Sequence, residues 1–171
     1  SVSFVGNICH LLTINDYFFK YIMLTLGSGG LCIFIAGFIT GHGAVTVIDI
    51  HGFLGRKSSY WTEATIRTHK VTKPMIWIGI FLAVVGGLIL YRNELFSGIP
   101  LFHAIIAIVL ILNGYFLSFK VSPFLLKRER EGNESVILPQ SWQNKIIVSL
   151  VVSDIGWWGG LFLLVLYIVK H

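Results

Sequence analysis

Residues 21–50, YIMLTLGSGGLCIFIAGFITGHGAVTVIDI, decide the fold class of this chain. The stretch carries one charged side chain, Asp49, and it exceeds the roughly 20 apolar residues that a helix needs to cross a bilayer. Further apolar runs cover 74–91, 99–121 and 146–169. Each run is predicted to be a helix, because irregular backbone in lipid would leave N–H and C=O groups unpaired. The pattern therefore predicts an all-α polytopic membrane protein, a bundle of four transmembrane helices.

The composition excludes an ordinary soluble domain. Hydrophobic residues make up 55% of the chain and charged residues only 12%, whereas about 25% is usual in soluble domains. The net charge of +5 indicates a bilayer rather than nucleic acid as partner, because membrane proteins concentrate Lys and Arg on one side. The chain has no CxxC, GxxxxGK[ST], HExxH or GxSxG motif, so no enzyme class is indicated.

The basic residues predict the orientation of the four spans. Only Lys20, Arg92 and Lys170 fall on one side of the bundle. The other side holds the ten remaining basic residues: Arg56, Lys57, Arg67, Lys70, Lys73, Lys120, Lys127, Arg128, Arg130 and Lys145. The positive-inside rule then places both long loops in the cytoplasm and both termini outside.

The boundaries of the elements follow from local signals. Residues 1–19 mix apolar and polar side chains, which predicts a segment at the outer interface, and 20–171 form the transmembrane domain. Pro74 suits the first turn of the second span, and the third span is expected to end before Pro123. Ser58 or Ser59 followed by Thr62 and Glu63 resembles a helix start. The preceding loop therefore holds either an interfacial helix or an extension of the second span.

Small residues at helical spacing predict where the helices touch. Lipid provides no hydrophobic drive between helices, so close contacts concentrate where side chains are small. Gly37 and Gly41 form one such pair on the first helix, and Gly156 and Gly160 form another on the fourth. These pairs predict helix–helix contacts within the bundle, and association with other membrane subunits or a second copy stays open.

Ionisable side chains inside a bilayer are costly, roughly 2.5–3.5 kcal/mol at mid-depth, and therefore mark candidate sites. A helical rise of 1.5 Å per residue places polar side chains of three helices at similar depth. They predict one buried polar cluster of His42, Thr46, Asp49, Asn113 and Asp154. The cluster is interpreted either as a proton or small-cation pathway, as a site for a polar head group, or as hydrogen bonding that fixes the rotation of the helices.

Histidines raise a second hypothesis, the binding of haem b or a metal. His42 lies within the first span, His103 lies near the outer end of the third, and His10 is expected on the outer side. Imidazole is a common ligand of iron and other metals. The same rise separates His42 from His103 by roughly 20 Å, so the two do not form a bis-histidine clamp.

Four segments carry a resemblance to a family. They are GHGAVTVID at 41–49, PMIWIG at 74–79, ILNGYFLSFKVSPFL at 111–125 and VSDIGWWGG at 152–160. Together they resemble small, uncharacterised bacterial four-span membrane proteins over most of residues 30–165. This resemblance implies a location in a bacterial cytoplasmic (inner) membrane. These proteins in turn look like distant relatives of the copper-resistance D and haem-binding protoporphyrinogen oxidase membrane families. The resemblance implies redox or metal work with a histidine in the first span, where this chain has His42.

Three functions follow as hypotheses. The first is a small redox-associated membrane protein that binds haem b through His42 or His103. The second is a proton or small-cation pathway through the buried His and Asp side chains. The third is an accessory subunit or assembly factor of a larger membrane complex, which is suggested by the small mass outside the spans.

Overall fold

The computed structural model describes residues 2–94 and 97–170, with side chains described for residue 22 and from residue 24 onward within those ranges. The helices are α1 (Val2–Gly55), α2 (Ser59–Leu90), α3 (Gly98–Phe116), α4 (Ser122–Arg130) and α5 (Gln140–Lys170). A π-helical segment, Leu117–Val121, joins α3 to α4 without a break. The described part of the chain is all-α and has the predicted bundle architecture.

Within the described residues, four helical spans are long and apolar enough to cross a membrane. They are Leu24–Gly55, Ser59–Leu90, Gly98–Arg130 and Gln140–Lys170. The chain is therefore a multi-pass membrane protein. Each span of about 32 residues is roughly 48 Å long, which exceeds a hydrocarbon core of about 30 Å, so the helices project beyond it. The interfacial placement of residues 1–19 stays a prediction, because their side chains lie outside the described residues.

The second and third spans are longer than the sequence suggested. The second helix begins at Ser59 with Ser58 as its N-cap, so the loop extends the span, and Pro74 lies inside the helix rather than in its first turn. The third helix does not end before Pro123 but continues through the π segment into α4. Pro123 falls in the first turn of α4, directly after the π segment, so its missing N–H coincides with the change in the helical hydrogen-bond pattern.

Glycines bring α1 and α2 into backbone contact. A Cβ atom on Gly37 would lie 2.7 Å from the carbonyl oxygen of Gly79, and one on Gly79 would collide with the backbone of Gly41. On α5, a Cβ on Gly156 would lie 2.7 Å from Leu110 of α3, and one on Gly160 would lie 2.8 Å from Phe38. The four predicted packing glycines thus all lie at helix–helix contacts.

The buried side chains form two clusters. The larger one includes Phe34, Phe38, Tyr91, Leu110 and Trp157. The smaller one lies at the other end of the bundle and consists of Ile66, Val121 and Leu125. We call that end, where α1 ends and α2 begins, the basic end, because it carries the ten Lys and Arg residues named above.

Candidate functional site

The predicted polar cluster is divided in the structure. Asn113 of α3 donates from Nδ2 to the Ser149 carbonyl and to Ser153 Oγ, both at 2.9 Å, and Ser149 Oγ donates to Asn113 Oδ1 at 2.5 Å. These bonds tie α3 to α5 and satisfy the amide. Thr46 is exposed and donates to the His42 carbonyl of its own helix. Thr46 therefore lies outside any buried cluster, because its hydroxyl finds a partner within its own turn.

His42 is packed against tryptophans of α5. Its ring lies edge-on to Trp158, with centroids 4.6 Å apart, and its Nδ1 is buried without a hydrogen-bond partner among the described residues. Asp154 interacts electrostatically with both His42 and Asp49. The predicted cluster is therefore divided: His42 and Asp49 each interact with Asp154 only electrostatically, whereas Asn113 forms a separate clamp.

Asp49 faces a cavity that the sequence did not predict. The cavity lies between all four spans toward the basic end and has a volume of about 70 Å³. About 10–15 Å³ of such volume holds one water molecule, so there is room for a few. We call it the Asp49 cavity, and its polar lining consists of Asp49, Thr65, His69, Lys73 and Ser118.

The charged and titratable groups of this cavity lack strong partners. Asp49 Oδ2 and His69 Nε2 are buried, and neither has a hydrogen-bond partner among the described residues. Lys73 Nζ makes only long contacts, 3.5 Å to the Ser118 carbonyl and 3.4 Å to Ser122 Oγ. No ion pair in the described part of the chain includes Asp49 or Lys73. Buried polar groups are normally paired, so two unpaired atoms on one cavity make it a candidate site.

The wall opposite Lys73 is the π segment. Trp77 Nε1 donates to Ser118 Oγ at 3.0 Å, and this bond ties α2 to the π segment beside the cavity. Single π-helical turns occur frequently at functional sites. The π geometry and Pro123 together interrupt the regular helical ladder, so the Ser118 carbonyl can face the Lys73 ammonium.

Two members of the Asp49 cavity were missed from the sequence. His69 and Lys73 were predicted to lie in the loop between the first two spans, where both side chains would be in contact with water. A sequence signal for them exists in the spacing of Thr65, His69 and Lys73, which are four residues apart. They share one helix face because α2 begins at Ser59. The alternative in which the loop extends the second span would have placed His69 and Lys73 on that helix.

His103 has partners on both ring nitrogens. Its Nε2 lies 2.8 Å from the Gly160 carbonyl, which can only accept, so Nε2 carries the proton. Its Nδ1 lies 3.1 Å from the Tyr91 hydroxyl, which then donates. An apolar cavity of about 250 Å³ lies beside this pair. A metal would reach either nitrogen only by breaking one of these bonds, so His103 does not fit the role of a haem ligand in this arrangement.

The other predicted ligands do not complete a site. His10 lies outside the residues whose side chains are described. Those residues contain no group of three or more His, Cys, Asp or Glu side chains that could hold a metal ion. Binding of haem b stays a prediction, and a reduced-minus-oxidised absorption spectrum of the protein in mild detergent tests it.

Comparison of the chain with protein-family models, curated proteins and solved structures finds no match. The resemblance to the four-span bacterial family therefore stays a prediction.

Proposed function

We propose that this membrane protein takes up protons from the basic end into the Asp49 cavity, as the inner half of a proton pathway. We also propose that the basic end faces the cytoplasm of a bacterium. Ten of the chain's thirteen Lys and Arg residues lie at the basic end, which supports that orientation. Both termini then face outward.

The observation that carries the proposal is the pair of unpartnered atoms, Asp49 Oδ2 and His69 Nε2, on one small buried cavity. An ionisable side chain within a span is costly to insert, and such side chains commonly belong to proton relays. A carboxyl oxygen and an imidazole nitrogen that lack fixed partners are both able to accept a proton from water in the cavity. A purely structural role would have paired them, as it pairs Asn113 with the two serines.

The lining favours protons over a small metal cation. Lys73 and His69 contribute positive charge or proton donors to the same cavity as Asp49. A cation needs several oxygen ligands, and here one carboxylate would face an ammonium group that repels the ion. Protons need only hydrogen-bonded acceptors, which Asp49 and His69 supply.

The route beyond the cavity leads toward Asp154 and His42. Asp154 interacts electrostatically with Asp49 and with His42, whose Nδ1 is buried without a partner among the described residues. Trp157 and Phe38 then close the other half with aromatic packing, where ring centroids lie 5.4 Å apart. Transfer across that half requires water or a conformational change, and the proposed pathway includes that step.

Proton uptake is tested in liposomes that contain a trapped pH-sensitive dye and carry the purified protein. With a potassium diffusion potential driving proton entry, wild-type protein should acidify the lumen faster than empty vesicles. Asp49→Asn should reduce the rate of acidification to that of empty vesicles, because an amide side chain does not gain or lose a proton at the pH of the assay. Glu131→Gln is the matched control, since Glu131 is an exposed carboxylate at the same end, and it should behave as wild type.

A second readout separates proton binding from transport. The infrared carboxylic acid band that changes with pH in wild-type protein should disappear in Asp49→Asn and persist in Glu131→Gln. A band that Asp49→Asn leaves unchanged would contradict the proposed acceptor. A wild-type flux equal to that of empty vesicles would contradict a pathway and favour the accessory-subunit hypothesis.

A further inference from the structure

A groove runs along the outside of the bundle between α1 and α2, on the membrane-facing side away from the Asp49 cavity. Its volume is about 600 Å³, and its walls include Thr40, Gly43 and Val47 of α1. Arg67 and Met75 lie on the α2 side. The helices are antiparallel, so the Arg67 end of the groove is the end nearest the basic end of the bundle. The wall from residue 39 to residue 47 is about 12 Å long by helical rise.

The groove has the polarity of a lipid molecule. Apolar and small side chains line most of its length, and the cationic Arg67 stands at one end. The Arg67 side chain is 70% exposed, and its Nη2 lies 2.6 Å from Glu63 Oε1. A guanidinium has five N–H donors, so donors remain for a phosphate. Exposed ion pairs contribute little, so Glu63 competes only weakly with a bidentate phosphate.

We propose that this groove binds an anionic phospholipid, with its phosphate on Arg67 and one acyl chain along α1 and α2. Charge complementarity identifies the occupant, because basic residues at the membrane surface attract anionic head groups. The floor at Gly43 is open, since a Cβ atom built there meets nothing within 4 Å. A chain can therefore lie against the helix backbone at that point. The lipid site is independent of the proposed proton uptake.

Native mass spectrometry of the detergent-purified protein tests the site. The probes are phosphatidylglycerol and phosphatidylcholine with identical acyl chains. Wild-type protein should retain phosphatidylglycerol preferentially. Arg67→Gln should lower its retention about fivefold, the effect of one basic side chain at the surface, and lower that of phosphatidylcholine less, because the choline cation offsets the attraction of Arg67 for the phosphate. Gly43→Leu should lower retention of both lipids, because its side chain extends into the groove from a position where a Cβ atom meets no protein atom within 4 Å.

Arg130→Gln is the matched control, because Arg130 is exposed at the basic end but does not line the groove. It should keep the wild-type preference. Unchanged phosphatidylglycerol retention in Arg67→Gln, or an equal loss in Arg130→Gln, would overturn the proposal. Loss of a dimer in Gly43→Leu with unchanged lipid retention would overturn it in favour of a second copy of the chain in the groove.

Discussion

Individual polar residues in this bundle fall into two groups, and their hydrogen bonds distinguish them. His103 and Asn113 have hydrogen-bond partners for their polar side-chain atoms, and these bonds join α3 to α5. Asp49 and His69 have buried atoms without a partner among the described residues. Satisfied groups stabilise the packing, whereas unsatisfied ones are costly to keep and so point to a function.

The Tyr91–His103 hydrogen bond should contribute measurably to stability. Tyr91→Phe removes the donor and leaves His103 Nδ1 buried without it. The free energy of unfolding should fall by about 1–2 kcal/mol, between the mean for interhelical bonds in membranes and the full cost of an unpaired buried group. Circular dichroism monitors unfolding in detergent and so measures the change in the free energy of unfolding. Tyr115→Phe is the control, because Tyr115 is exposed, and an equal loss there would contradict the assignment.

At the scale of elements, the α1–α2 contact depends on the absence of side chains. The helices approach so closely at Gly37 and Gly79 that a Cβ atom would meet backbone of the other helix, whereas a Cβ on Gly41 would meet the Trp157 ring of α5 first. Backbone cannot shift without moving a whole helix, so these positions do not easily accept a residue larger than glycine. In lipid, such contacts replace the hydrophobic drive that packs soluble helices.

Gly79→Ala should therefore destabilise the bundle. Its methyl group would collide with the Gly41 backbone and lie 2.9 Å from the Gly37 carbonyl oxygen. We expect a loss of about 1–3 kcal/mol, the usual cost of overpacking. Gly29→Ala is the control, because its Cβ meets nothing within 4 Å and alanine favours the helix by up to about 1 kcal/mol. The same detergent unfolding compares the two, and equal effects would contradict backbone contact as the cause.

At the scale of the whole molecule, the two halves of the bundle differ in polarity. The half at the basic end contains the small cavity with Asp49, His69 and Lys73. The other half contains the larger apolar cavity, closed by Phe34, Phe38 and other aromatic rings. The polar lining at the basic end suits proton uptake from that side, whereas the apolar half needs water or a conformational change before a proton crosses it.

The proposed topology is tested by cysteine labelling. In a background with both native cysteines replaced by serine, Asn133→Cys lies in the loop between α4 and α5, and Asn93→Cys lies in the turn after α2. A membrane-impermeant maleimide should label Asn93→Cys in intact cells and Asn133→Cys only in inverted vesicles. The reverse pattern would contradict the assigned orientation, and with it uptake from the cytoplasm.

The sequence by itself determined the class of protein and the number of spans. Apolar runs and a low charge content suffice for that, because the solvent around each helix is lipid and the requirement for backbone pairing is local. The packing glycines were also visible, since helical spacing places them on one face. Asp49 stood out for the same local reason, as a carboxylate within an apolar run.

Only the tertiary structure decided which polar residues meet. Thr46 and Asp49 share a helix face in the sequence, yet Thr46 is exposed and Asp49 lines a cavity, because the rotation of α1 is set by its glycine contacts with α2. His69 and Lys73 entered the site only when α2 proved to begin at Ser59. Partners from different helices depend on register and rotation, which arise from packing between spans and leave no periodic signal within any one of them.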